Sequence, residues 1–197
     1  MAGRLDGKRI AIIATDGVEE VELTQPREAV TSEGGQVDVV SLEDGEVQAM
    51  NHDLEPASRI AVDRTAAQVS PSDYDALILP GGTVNADRLR MDPDVRSIVK
   101  EVFSTGKPVG VICHGPWTLI DAGVVEGRTL TSYPSLRPDL RNAGAEVVDE
   151  EVVTDEGPDR STLVSSRNPG DLEAFCAKIV DVFAESADRG SDRRATA

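Results

Sequence analysis

Short, fully apolar runs alternate with longer segments whose apolar positions recur at helical spacing. Residues 8–14, KRIAIIA, are an Ile-rich run bounded by polar residues. A strand buried on both faces, as in a parallel sheet, has this pattern. Thr15-Asp16-Gly17 predicts a turn, and 20–32 predicts a helix that carries Pro26 early and stops at Gly34-Gly35. Residues 36–41, QVDVVS, predict a second strand, which completes a βαβ unit.

The pattern changes over 43–70, where half-polar runs are separated by turn residues, and predicts a small β-hairpin insertion at the edge of the sheet. Residues 76–79 predict a third buried strand that ends in Pro80-Gly81-Gly82. Residues 92–105 predict a helix capped by Asp92, with Pro93 in its first turn and Val95, Ile98, Val99 and Val102 on one apolar face. A fourth strand over 109–112 runs into Cys113-His114-Gly115-Pro116, and a helix-like run over 117–122 follows, ended by Gly123. Beyond it, 129–131 predicts a short strand, 134–142 a helix, and 146–154 and 161–165 two further strands. A last helix starts at Asn168-Pro169-Gly170-Asp171 and carries Leu172, Phe175, Cys176, Ile179, Val180 and Phe183 on its apolar side. Cys176 in that stripe reads as a packing residue. The expected architecture is therefore α/β, with one domain over 1–185 and a polar, structureless tail over 186–197.

Composition narrows the function classes. The net charge of −16 opposes general nucleic-acid binding, which needs a basic surface. Lysine is confined to Lys8, Lys100, Lys107 and Lys178, and an acidic, lysine-poor surface suits a protein kept soluble in high salt. No apolar run reaches the roughly 18 residues of a membrane span, and the N-terminal apolar run reads as a first strand rather than an export signal. A cytoplasmic protein is the expectation, with Cys113 and Cys176 as thiols.

The Cys-His turn carries the chemistry. A strand that ends in a sharp turn lifts the turn's side chain above the sheet edge, and the next helix directs its free N–H groups back at it. This is the geometry of a nucleophile elbow, with Cys113 at the place of the nucleophile. Open α/β sheets bind ligands outside the carboxyl ends of their strands. The loops after the first, third and fourth strands should therefore meet. They would bring together an acid from Glu19, Glu20 or Glu22, the amides of Gly82 and His114 as oxyanion donors, and Cys113 as nucleophile. Spacing does not choose among the three glutamates. His52, in Met50-Asn51-His52-Asp53, reads as a solvent-facing or structural histidine. No CxxC, HExxH or EF-hand pattern is present, so no metal or cofactor is implied.

Several of these pieces occur together in one known family. Gly17-Val18-Glu19-Glu20-Val21-Glu22-Leu23, Leu79-Pro80-Gly81-Gly82, Gly106-Lys107-Pro108, Ile112-Cys113-His114-Gly115-Pro116, Thr131-Ser132-Tyr133-Pro134, Asn142-Ala143-Gly144-Ala145 and Val164-Ser165-Ser166-Arg167-Asn168-Pro169 follow one another in the family's order. On these motifs the sequence resembles the PfpI family of the ThiJ/PfpI superfamily, in its intracellular-protease and stress-protein branch. The resemblance implies a flavodoxin-like three-layer sandwich with a mainly parallel sheet. It makes Cys113 the nucleophile, His114 its partner and Glu19 the carboxyl that touches the sulfur. It also implies a homo-oligomer, dimer or hexamer, with the site near a subunit interface and Asp87 of a neighbouring subunit orienting His114. The activities it implies are attack on reactive carbonyls (a deglycase or glyoxalase for methylglyoxal and its adducts), then peptidase or amidase chemistry, then a redox-sensing or chaperone-like role.

Overall fold

The computed structural model describes residues 3–157 and 160–194. The elements in chain order are β1 (Arg9–Ile13), α1 (Glu20–Ser32), β2 (Gln36–Ser41), β3 (Glu46–Asn51), β4 (Glu55–Ala61), β5 (Arg64–Thr65), β6 (Ala76–Leu79), α2 (Thr83–Met91), α3 (Pro93–Ser104), β7 (Val109–Ile112), α4 (Pro116–Ala122), β8 (Thr129–Leu130), α5 (Arg137–Asn142), β9 (Glu146–Val147), β10 (Val152–Asp155), β11 (Leu163–Ser166) and α6 (Leu172–Arg194). The expected tail, 186–197, coincides with the end of α6 and with residues 195–197, which lie outside the described residues.

The central sheet runs β10-β11-β7-β6-β1-β2-β5. Every pairing in it is parallel except β10 with β11. Numbered among themselves, the five long parallel strands stand in the order 2-1-3-4-5, the doubly wound flavodoxin-like arrangement. Strands β1, β6 and β7 are almost wholly buried because helices cover both faces. On one face Leu23 and Val30 of α1 pack with Phe175, Ile179 and Phe183 of α6. On the other, Leu89 of α2, the Val95–Phe103 side of α3 and Leu119 of α4 form a second core. Gly110 is required at the centre of β7, since a Cβ there would lie 2.9 Å from Ile179 and 3.2 Å from Phe175.

The hairpin differs from expectation. β3 and β4 pair with each other as a separate two-stranded sheet, and the edge position is taken by the short β5. The hairpin instead folds back over the start of α1. Met50 bridges Glu19, and the Gly17 amide donates to the Gln48 carbonyl at 2.9 Å. Its tip is thereby brought to the carboxyl end of the sheet. α2 is an element the hydrophobic pattern does not announce: its buried residues are only Asn85, Ala86 and Leu89.

The chain leaves β1 through α1 on one face and leaves β6 through α2 and α3 on the other. The carboxyl ends of β1 and β6 therefore diverge, and a crevice opens between them and the end of β7.

Candidate active site

Cys113 follows the last residue of β7 and takes φ +61, a left-handed conformation costly for a residue with a Cβ. The turn is over-determined by its surroundings. The Cys113 amide donates to the Ser166 carbonyl at 3.1 Å, the Tyr133 amide donates to the Cys113 carbonyl at 3.0 Å, and Gly115 donates to the Ile112 carbonyl at 2.9 Å. Gly115 has no room for a side chain, since a Cβ would stand 2.6 Å from the Leu79 carbonyl oxygen. The sulfur is thus held at the floor of a cleft of about 170 Å³ lined by Glu19, Glu22, His52, Asp53, Gly82, Cys113, His114, Tyr133 and Pro169.

The carboxyl beside the sulfur is Glu22, and this corrects the assignment of that contact to Glu19. Glu22 is fully buried and shares the inward stripe of α1 with Pro26 and Val30, spaced one helical turn apart. Its Oε2 accepts the Gly81 amide at 2.7 Å, and the carboxyl interacts with the Cys113 thiol. Glu19 precedes the helix in an extended conformation, so its side chain leaves in another direction. It lines the cleft wall, and its Oε1 accepts the His52 amide at 3.2 Å. Glu20 faces the hairpin, where it accepts from the Ser58 hydroxyl.

Burial governs the protonation of this pair. Removal from water pushes the Glu22 carboxyl up to about 8, against the pull of the Gly81 amide. Burial first, and then Glu22, push the Cys113 thiol up, while the amides of Gly82 and His114, which point at the sulfur, draw it down. At neutral pH Glu22 keeps its proton, and a neutral carboxyl beside sulfur donates rather than repels. The two groups therefore titrate as a pair.

His114 is buried, and its Nδ1 lies 3.2 Å from the Cys113 sulfur. Its ring stacks on Tyr133 with centroids 4.6 Å apart and meets Trp117 edge-on at 5.4 Å. Burial lowers its pKa below the ordinary histidine value, opposed by the charge of Asp53. Nε2 has two hydroxyl neighbours at 3.5 Å, Thr83 Oγ1 and Ser135 Oγ.

The cleft thus brings together Cys113, His114, Glu19 and the Gly82 amide, but not Asp87. Asp87 is exposed on α2 and does not line the cleft. His52 is exposed at the rim, at the hairpin tip, where it and Asp53 both have positive φ. Asp53, Thr83 and Tyr133 are site residues that sequence reasoning passes over. The signal for Asp53 lies in its place beside His52 in a turn, and that for Thr83 in following Gly81-Gly82 directly. Among the described residues no cluster of three or more His, Cys, Asp or Glu side chains is arranged to hold a metal ion, and no helix is long and apolar enough to cross a membrane.

Residues 8–182 match the family model of the DJ-1/PfpI family. A deglycase from Pyrococcus abyssi is 41% identical over 175 residues, covering 89% of this chain and 99% of that protein. The deglycase PfpI of Pyrococcus furiosus is 40% identical with the same coverage. Among solved structures, Drosophila melanogaster DJ-1beta is 30% identical with a TM-score of 0.78, covering 95% of this chain and 97% of that one.

Proposed function

The chain belongs to the DJ-1/PfpI family, and on that premise we propose that it is a cysteine-dependent enzyme attacking small reactive carbonyls, a deglycase or glyoxalase for methylglyoxal and its adducts. The observation that carries this reading is the size of the cleft over Cys113. About 170 Å³ suits a molecule of a few carbon atoms, whereas sites for drug-sized ligands begin at roughly 300 Å³.

In this reading Sγ adds to the aldehyde carbon, the carbonyl electrons move to oxygen, and the oxygen takes a proton to give a hemithioacetal. His114 Nδ1, at 3.2 Å, receives the thiol proton. The Gly82 and His114 amides and the protonated Glu22 hold charge on the sulfur before attack. Glu19, on the cleft wall, or His114 then moves the substrate proton from the aldehyde carbon to its neighbour. Water releases the resulting thioester, so that methylglyoxal and water become lactate and Cys113 is free again. The relatives named as deglycases support the same class of chemistry. The reading places the protein in a reducing cytoplasm, where Cys113 stays a thiol.

The test is lactate formation from methylglyoxal by the purified protein beside Cys113→Ala. Lactate above the variant is expected, and equal rates would overturn the reading. The Cys113–His114 contact also favours a second reading, peptide or amide hydrolysis. Within one chain Asp87 stands outside the cleft, so its part in that chemistry requires a homo-oligomer in which a second copy supplies it. Amide cleavage lost in both Cys113→Ala and Asp87→Ala would establish that alternative.

A further inference from the structure

One hydroxyl links His114 to an acid of its own chain. Asp53, at the hairpin tip, accepts the Thr83 amide at 2.7 Å through Oδ1 and the Thr83 hydroxyl at 2.9 Å through Oδ2. Thr83 opens α2, and its Oγ1 lies 3.5 Å from His114 Nε2. A threonine hydroxyl has one proton, and here the carboxylate takes it. What remains for Nε2 is a lone pair, so the Thr83 contact selects the tautomer with hydrogen on Nε2. A neutral imidazole has one N–H, which leaves the Nδ1 lone pair facing the Cys113 sulfur at 3.2 Å. Ser135 Oγ, also 3.5 Å from Nε2, is a second hydroxyl able to accept the same hydrogen. Catalytic contacts of this length commonly tighten once substrate is bound.

The hairpin tip is shaped for this contact. His52 and Asp53 have φ of +54 and +62, an unfavourable pair of conformations for residues other than glycine. The tip is held there by the His52 amide on Glu19 and by Asp53 on Thr83. Among the described residues no lysine or arginine forms an ion pair with Asp53, so its charge acts towards His114 unneutralised.

We propose that Asp53, acting through the Thr83 hydroxyl, is the positioning acid for His114, which thereby presents the Nδ1 lone pair to Cys113 through contacts within one chain. The proposal rests on the reading of Cys113 as the nucleophile. When the thiol proton passes from Sγ to Nδ1, the sulfur becomes a thiolate and the ring an imidazolium. Nε2–H keeps Thr83 as its acceptor, Thr83 keeps donating to Asp53, and the carboxylate offsets the new positive charge. No further reactant enters this step.

The chain has two histidines, His52 and His114, so nitrogen-15 spectra of the imidazoles resolve the tautomer directly. The wild type is expected to show His114 protonated at Nε2 only, and Thr83→Val a mixture of tautomers. Alkylation of Cys113 by iodoacetamide, followed by mass spectrometry, should slow roughly ten- to a hundredfold in Asp53→Asn and in Thr83→Val. Thr83→Ser, which keeps the hydroxyl, should restore both readouts. A folded Thr83→Val with unchanged tautomer and alkylation rate would overturn the proposal. So would failure of Thr83→Ser to restore them, or loss of reactivity in Asp87→Asn with Asp53→Asn unaffected. Both readouts are independent of turnover. If the tautomer responds as expected and no lactate forms, the proposed reaction fails and the positioning role stands.

Discussion

The Glu22 carboxyl meets the Cys113 sulfur across Gly81, at a position with no room for a methyl group. A Cβ on Gly81 would lie 2.5 Å from Glu22 Oε2, 2.6 Å from the Cys113 Cβ and 2.9 Å from the His114 nitrogen. One residue therefore sets the distance between the acid and the sulfur, and its amide satisfies one of the two carboxyl oxygens. Among the described residues the other oxygen, Oε1, is buried without a hydrogen-bond partner.

This arrangement makes stability depend on pH through Glu22. Its carboxyl rises from 4.5 to about 8 on folding, first of all because it is buried. Below pH 4.5 the folded and unfolded states are both protonated, and the contribution is fully present. As pH rises towards 8 the unfolded chain ionises while the folded one holds its proton, so stability is lost across that window. At about 1.4 kcal/mol per unit, the loss by the upper end is on the order of 5 kcal/mol. Glu22→Gln cannot ionise, so its melting temperature relative to wild type is expected to climb between pH 4.5 and pH 8. Thermal denaturation across that range checks this, and parallel curves for the two proteins would refute it.

The walls of the cleft also select by charge. Glu19 and Asp53 line it together with Glu22, and among the described residues no lysine or arginine does. An anionic 2-oxoaldehyde such as 4,5-dioxopentanoate, which like methylglyoxal carries a ketone beside its aldehyde, enters against that field, whereas neutral methylglyoxal does not. Two charges a few ångströms apart near a protein surface repel by about 1–3 kcal/mol. The kcat/KM for 4,5-dioxopentanoate should therefore fall roughly ten- to a hundredfold below that for methylglyoxal, and the gap should narrow as salt is added. Steady-state kinetics at low and high sodium chloride measure both. Equal kcat/KM values would show that the carboxylates do not set specificity.

How much of this was legible in the sequence depends on how each residue is held. The elbow was, because a fully buried strand must be apolar throughout and its end at Cys113-His114-Gly115-Pro116 must be abrupt. Glu19 and Glu22 could not be told apart by spacing, and the resemblance pointed to Glu19. The burial of Glu22 follows from its place one turn before Pro26 and two before Val30, a stripe visible only once the inward face of α1 is known. The hairpin was legible as a hairpin, but not its docking, which is made by backbone contacts between Glu19 and Met50 and between Gly17 and Gln48. Such contacts leave no compositional trace. Sequence reasoning passes over Asp53 for that reason. α2 leaves no hydrophobic pattern because TVNADRLRM buries one large apolar side chain, Leu89, and relies on a polar one, Asn85, for the rest.

Asn85 ties the loops around the cleft together and supplies the sharpest stability test. It is fully buried, and all its hydrogen-bonding groups are used across two strand ends. Its Oδ1 accepts the Thr15 amide at 2.7 Å, after β1, while its Nδ2 donates to the Pro80 and Gly81 carbonyls at 3.1 and 2.9 Å, after β6. Asn85→Asp keeps the shape and the acceptor for Thr15 but replaces the donor with an oxygen facing two carbonyls. A buried polar group left unsatisfied costs about 1–3 kcal/mol, and here two carbonyls lose their donor at once. A loss on the order of 2–5 kcal/mol in urea denaturation is expected. Because the same loop carries the Gly81 amide that holds Glu22, Cys113 alkylation should slow in the protein that remains folded. Stability within about 0.5 kcal/mol of wild type, the usual range for neutral surface changes, would mean that the two loops are held by their backbone contacts alone.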